Sequence, residues 1–256
     1  METFNTTYGT VTLYSNETYI INPFREKKYW DETKTLALKP YINPNRNILE
    51  IGGHCGTSSL IYATFLSPHQ QIYVYEPQKK MFELLMRNVY QNNLQHRIVP
   101  YNYGVFCYNG TGKMHDKDID WFHSGEIAKR YGEEAYLPCN FGGVCLGSSG
   151  EDVSLITVDD MPHNDIGFIH CDAQGAENFI FSKATELIKR DRPVILFENN
   201  VNYTEGRPLY EKVCQSYPEE AAKYKDYNVE HYCMYELGYS QIIRRFFGEY
   251  DDLLIP

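Results

Sequence analysis

An acid set inside an apolar run is costly to bury unless something pairs with it, and Glu50 in Asn47-Ile48-Leu49-Glu50-Ile51 is such an acid. Directly after it come Gly52-Gly53-His54-Cys55-Gly56 and then Thr57-Ser58-Ser59, which open a helical pattern. Glycines allow backbone torsions closed to other residues and let a ligand come close to the main chain. The start of a helix adds unpaired N–H groups and the positive end of a dipole. The loop is a candidate ligand cradle, with Gly52, Gly53, His54, Gly56, Thr57 and Ser58 as its contact residues. A Walker A loop is excluded, because it needs Gly-Lys-Ser/Thr and the loop carries no lysine. A G-x-G-x-x-G dinucleotide fingerprint is out of phase with glycines at 52, 53 and 56.

Glu76 ends a second strand-like run 24 residues after Gly52, where a carboxylate can accept hydrogen bonds from both hydroxyls of a ribose. That position suits an adenosine ligand without naming which one; Pro77 beside it and Asn102 after a third strand are further candidate contacts. Glu50 tilts the choice. The pattern acidic-x-Gly-x-x-x-Gly fits S-adenosylmethionine, whose sulfonium and ammonium both favour a nearby carboxylate. A buried salt bridge from Glu50 to some lysine, and a tight turn with no ligand, are the structural alternatives.

His170 and Asp172 alternate on one strand, so both side chains point to the same face at its carboxyl end. Methyl transfer to a hydroxyl is an in-line displacement that needs the acceptor beside the sulfonium and its proton removed. A histidine can serve as the base near neutral pH. Asp172 can bind the acceptor, contact the cofactor, orient His170, or ligate a divalent cation that acidifies the hydroxyl. If the strand ending in Glu198-Asn199 is its neighbour, Asp172, Glu198 and Asn199 form an all-oxygen set suited to Mg²⁺. The bland alternatives are a satisfied core histidine at 170 and a loop-bonded strand-end acid at 198. Glu177 opens a helix and suits its dipole.

These residues need a scaffold that brings strand ends together. Strand-type and helix-type segments alternate from about residue 46 to 198. The pattern predicts strands at 47–51, 71–75, 97–101, 154–158, 166–171 and 193–197, with helices at 57–66, 79–92 and about 176–189. Strands separated by helical crossovers imply a doubly wound, mostly parallel α/β sheet covered on both faces. Such sheets bind ligands beyond the carboxyl ends of their strands, where strand order reverses. Residues 103–153 show little periodicity and read as an insertion, a binding loop or lid. Beyond 199 a helix near Pro218 to Tyr224 and a final strand pair, Cys233 to Arg244 and Leu253 to Ile255, would extend one edge. With no repeat and no second core, the expectation is one domain over 1–256, its core at about 30–256.

At 43 % apolar residues there is material for a real core, and the net charge of −10 disfavours nucleic acid as a partner. Arg244-Arg245 reads as the exposed edge of the terminal hairpin. No run approaches the ~18 apolar residues of a membrane span, and the start shows no secretory pattern. The Asn-x-Ser/Thr matches at Asn5, Asn16, Asn109 and Asn202 then read as chance. Seven irregularly spaced cysteines suggest reduced thiols and a cytoplasmic location, with Cys139 and Cys145 the one pair spaced for a metal or a disulfide.

The motifs together resemble the FkbM-type methyltransferase family over roughly residues 30 to 256. Glu50 to Gly56 is similar to its acidic-x-Gly-Ala-Asn-x-Gly loop. Tyr75-Glu76-Pro77 with Leu85, Arg87-Asn88-Val89 and Asn93 resembles its second block. Ile156 to Asp160 with Phe168 to Glu177 resembles its "LDD … IKIDVEGAE" block, followed by Arg192 to Glu198 and Leu237-Gly238-Tyr239. Gly53-His54 replaces Ala-Asn, Gln174 replaces an acid, and His170 stands where the family usually has lysine, which leaves a lysine-based role without its residue. The resemblance implies a class I methyltransferase fold, S-adenosylmethionine as cofactor, and a hydroxyl of a sugar or glycan as acceptor. Aromatic residues in and beside the insertion (Tyr101, Tyr103, Tyr108, Trp121, Phe122, Tyr131, Tyr136) would suit stacking on a sugar ring or local packing equally. An NAD-linked dehydrogenase and a cofactor-binding module without turnover are the rival readings.

Overall fold

The computed structural model describes residues 1–115, 140–224, 226–248 and 250–256. In chain order its strands begin with β1 (Glu2–Thr6), β2 (Gly9–Leu13), β3 (Asn47–Ile51), β4 (Ile72–Tyr75), β5 (Ile98–Tyr101), β6 (Gly104–Val105) and β7 (Gly110–Met114). They continue with β8 (Leu146–Gly147), β9 (Glu151–Ile156), β10 (Ile166–Cys171), β11 (Val194–Glu198), β12 (Gln241–Ile243) and β13 (Asp251–Ile255). The α-helices of five residues or more among the described residues are α1 (Ile21–Arg25), α2 (Glu32–Ala37), α3 (Thr57–Tyr62), α4 (Lys79–Gln91), α5 (Glu177–Phe181), α6 (Thr185–Asp191), α7 (Arg207–Ser216) and α8 (Pro218–Tyr224).

Seven strands form one sheet in the order β12–β13–β11–β10–β3–β4–β5. The five from β11 to β5 run parallel, and β13 lies antiparallel between β11 and β12. This is the doubly wound, mostly parallel sheet expected from the sequence, with its antiparallel element at the carboxyl-terminal side. Its strands are apolar on both faces because both faces are covered. Leu49, Ile51, Ile169 and Cys171 enter a core shared with α5 to α7, while Ile48 and Phe168 enter a second core with α1, α3 and α4. By that alternation Glu50 and His170 belong to the face covered by α3, and the pairing sets them side by side.

Four expectations about elements need correction. The strand foreseen at 154–158 does not join the parallel sheet: β9 pairs antiparallel with β7 and parallel with β6, in a separate sheet ordered β6–β9–β7–β8. Its burial explains why, since Val153 and Leu155 are buried while Asp152 and Ser154 are exposed, the alternation of a strand covered on one face only. The described ends of the 103–153 insertion are therefore a small sheet rather than aperiodic loop. The helix foreseen at 176–189 is broken into α5 and α6. Of the long strand foreseen at 233–244 only β12 is extended, and Tyr232–Glu236 is a π-helical turn.

The hairpin β1–β2 and helix α7 carried no clear sequence signal. The hairpin is held by side-chain amides of α4: Asn88 accepts from Thr12 N at 2.8 Å and donates to Thr12 O at 3.1 Å, and Asn92 bonds both polar backbone groups of Thr10. The same Asn88 amide donates to Cys55 O in the glycine loop at 2.8 Å. Among the described residues no helix is long and apolar enough to cross a membrane.

Candidate functional site

A cleft of about 650 Å³ opens at the carboxyl ends of β3, β4, β10 and β11. It lies where the chain, having laid β4 and β5 to one side of β3, returns to lay β10 and β11 on the other, the switch point at which such sheets bind ligands.

The glycine loop shapes one wall. Gly52 has φ +85°, and a Cβ there would sit 1.8 Å from the Asp172 carbonyl oxygen; one on Gly53 would sit 2.0 Å from a Val74 methyl. No side chain fits at either position, so the main chain itself forms the surface. Gly52, Gly53, His54, Thr57 and Ser58 line the cleft, whereas Gly56 packs behind it against Leu85. His54 is held at φ +48°, and its backbone N–H donates to Glu76 Oε2 at 2.8 Å. Among the described residues both of its ring nitrogens are buried without a hydrogen-bond partner, and burial pulls the imidazole down to about 4, so it is neutral near pH 7. Two orphaned polar atoms beside a cleft are a cost that a polar ligand would remove.

Glu76 directly follows β4 at 3 % exposure. Its second oxygen accepts from Gln78 N at 2.8 Å. Burial pushes the carboxyl up to about 7 although the two amides oppose it. Each oxygen keeps a lone pair for a further donor, and Glu76, Pro77 and Gln78 all line the cleft. Asn102 is not in that lining: its amide donates to the carbonyls of Glu76 and Pro77 and fixes the turn from behind.

The partner of buried Glu50 is a finding. Among the described residues no lysine pairs with Glu50; Ser59 Oγ donates to Glu50 Oε2, and Oε1 lies 3.7 Å from His170 Nδ1. Tyr62 OH is 3.2 Å from the same nitrogen. Burial, the largest influence, would lower the His170 imidazole, but contact with Glu50 and the charge of Asp172 outweigh it and hold it above its usual range. Asp172 follows β10, anchored by its own N–H to Ile51 O at 3.0 Å. Glu50, His170, Asp172 and Glu198 all line the cleft.

The proposed metal set does not assemble. Asn199 turns away, donating to Asp252 Oδ2 at 2.7 Å and accepting from Asn202 N. Where a cation would sit between Asp172 and Glu198, the Gln174 amide stands instead, donating to Asp172 at 2.7 Å and to Glu198 at 3.3 Å. Asn200 likewise bridges Glu198 and Glu177. Burial and the charges of Asp172 and Glu177 push Glu198 well above the carboxylate range, and burial takes Glu177 to about 7. No group of three or more His, Cys, Asp or Glu among the described residues is arranged for a metal. Cys139 lies outside the described residues, so its pairing with Cys145 is not described.

The far end of the cleft was not foreseen. It is lined by Tyr19, Trp30, Asp31 and Lys34 from the amino-terminal segment and by Glu205, Arg245 and Tyr250 from the carboxyl-terminal one. Tyr19 and Trp30 pack with ring centroids 4.8 Å apart. Lys34 is paired with Asp251, and Arg245 with Glu205 at 3.2 Å. Arg244 pairs with Glu230, so the expected exposed basic edge is neutralised by acids. Of the aromatic residues proposed for stacking, Trp121, Phe122, Tyr131 and Tyr136 lie outside the described residues; Tyr101, Tyr103 and Tyr108 are not in the lining.

No protein-family model matches the sequence, and no curated protein matches it significantly. Solved structures similar to it include the methyltransferase FkbM of Methylobacillus flagellatus, at 12 % identity and TM-score 0.46 over 82 % of this chain. This chain spans only 44 % of that one. They also include an O-methyltransferase of Bacillus cereus in complex with SAH, at 17 % identity and TM-score 0.44 over 95 % of this chain and 84 % of the other. A third is TomG of Streptomyces achromogenes, an O-methyltransferase of tomaymycin synthesis in complex with SAM, at 15 % identity and TM-score 0.40 over 80 % of each chain.

Proposed function

We propose that this protein is an S-adenosylmethionine-dependent O-methyltransferase whose acceptor is a hydroxyl of a sugar or glycan. One observation carries the reading: a buried strand-end carboxylate, Glu76, opens into the same cleft as His170 and Asp172, beside a main-chain surface that only glycine can form. The cofactor supplies a methyl group on a cationic sulfur, hence an electrophile. Glu76 suits the two ribose hydroxyls, and the neutral His54 ring can give a further hydrogen bond. His170, whose Nε2 makes no hydrogen bond among the described residues, takes the acceptor proton. Asp172 binds or orients the acceptor. The Tyr19–Trp30 pair offers a face on which a sugar ring can stack, with the paired charges of Lys34 and Arg245 as hydrogen-bonding rims. No two of the six described cysteines are bonded to each other, in keeping with a reducing, cytoplasmic setting.

The test is a comparison of thermal midpoints with S-adenosylmethionine, S-adenosylhomocysteine and NAD. A ligand of the native state at roughly 100 times its Kd adds about 2.7 kcal/mol. The two sulfur compounds should raise the midpoint and NAD should not; the reverse result removes the assignment.

A further inference from the structure

We propose that Tyr62 and Glu50 are positioning residues that fix the tautomer of His170, holding its proton on Nδ1 so that the Nε2 lone pair faces the cleft. This rests on the methyltransferase reading above and gives that reading its base in working form. Glu50 and His170 are register partners on neighbouring parallel strands, both turned towards α3. Glu50 cannot satisfy its two oxygens alike, because Oε2 is taken by Ser59 Oγ and Oε1 is left facing the imidazole Nδ1 at 3.7 Å. Tyr62 closes the same side: its hydroxyl lies 3.2 Å from Nδ1, and its ring meets the imidazole edge-on, centroids 5.9 Å apart at 87°. Tyr62 is fully buried and takes no part in the cleft lining. Anything it does for the chemistry it does through His170.

Physics then selects the tautomer. A lone pair on Nδ1 would point at a carboxylate oxygen, whereas an N–H there is attracted by it and can be shared with the phenol oxygen. The other charged groups around the ring do not reverse this preference. Asp172 follows on the same strand, and Lys34 on α2 and Asp251 on β13 form their own ion pair. With the proton on Nδ1, Nε2 can receive one. In the reaction the O–CH₃ bond forms as the S–CH₃ bond breaks, its electron pair staying on sulfur. The hydroxyl proton passes to Nε2, and the imidazolium so formed faces Glu50.

The experiment is ¹⁵N–¹H correlation of the imidazole nitrogens in the free protein at alkaline pH, where the ring is neutral, with the His170 signals assigned by their loss in His170→Gln. The Nδ1–H form should dominate in the parent protein. Tyr62→Phe and Glu50→Gln should each move the population towards Nε2–H, while Tyr62→Phe keeps its affinity for S-adenosylhomocysteine within about threefold, because the phenol does not reach the cleft. An Nε2–H form in the parent overturns the proposal without need of a variant. So does a tautomer that neither substitution moves. Because the tautomer is read with no ligand present, failure of S-adenosylhomocysteine to bind would strike the methyltransferase reading alone, and a wrong tautomer with intact binding would strike only this inference.

Discussion

The raised carboxyl of Glu76 makes cofactor affinity depend on pH in a direction that can be worked out beforehand. The group sits at about 7 in the folded protein against 4.5 for a free glutamate. Because the folded state holds this proton more tightly than the unfolded chain, its contribution to stability is complete below pH 4.5 and is lost as pH rises towards 7. The loss is about 3 kcal/mol at 1.36 kcal/mol per unit. Binding runs the other way. Ribose hydroxyls donate to the ionised carboxylate, so a bound ligand selects the deprotonated form and expels the proton. Affinity should rise with pH up to about 7 and then level off. At pH 6 about one molecule in eleven has Glu76 ionised, so the Kd for S-adenosylhomocysteine should be roughly tenfold weaker than at pH 8, a difference of about 1.4 kcal/mol. Titration calorimetry in two buffers of different ionisation enthalpy measures both the Kd and the protons released. Glu76→Gln is the control: it should weaken binding by about 1–3 kcal/mol and flatten the pH dependence. The amide cannot accept from both His54 N and Gln78 N, so the variant should also lose about 1–3 kcal/mol of stability by orphaning one buried donor. A parent Kd unchanged between pH 6 and pH 8, with no proton release, would refute the assignment of Glu76 to the ribose.

Further outcomes follow from the other side of the cleft. His170→Ala and Asp172→Ala should keep the affinity for S-adenosylhomocysteine within about tenfold while turnover on a verified acceptor falls ~10²–10⁴-fold. Of the two, His170→Ala should be the less stable in denaturant melts, since it leaves Glu50 buried beside an empty space. EDTA should leave turnover unchanged, and activity that EDTA abolishes and Mg²⁺ restores would return Asp172 and Glu198 to the role of ligands. Gly52→Ala forces a methyl against the Asp172 carbonyl at a positive φ, and should abolish cofactor binding or lower the melting midpoint steeply; a variant as stable and as tight as the parent would show that the loop can move aside.

The parts of the site written within one continuous stretch were legible in the sequence. The run before Gly52, the glycine loop and Glu76 announce a strand, a turn and a second strand end, because each is decided by local torsions and by apolar runs. What depended on partners far along the chain was not legible. Nothing local says that β9 leaves the parallel sheet for β7, or that Tyr19, Trp30 and Arg245 meet across one cleft. Asn199 reads as a strand-end ligand until Asp252, 53 residues later, claims its amide. Glu50 was recognisable as a buried acid in need of a partner, but its company of Ser59 and His170 emerges only once β3 and β10 lie in register. The helix split at 182–184 and the hairpin at the start were hidden for the same reason: their stabilising contacts are tertiary.

That hairpin has a consequence for how the molecule may be shortened. By fold alone, residues ahead of the parallel sheet look dispensable, and a boundary near residue 30 looks natural. Yet the Asn88 amide is a junction at which the amino-terminal ribbon, helix α4 and the Cys55 carbonyl of the glycine loop are spliced together. Cutting the ribbon away strips Asn88 of two of its backbone partners and frees its amide to swing, loosening its grip on the loop that backs the cleft. Hydrogen exchange should register this as faster exchange at residues 53–57 in a chain beginning at residue 30, a breathing of the cradle triggered from a ribbon outside the cleft lining.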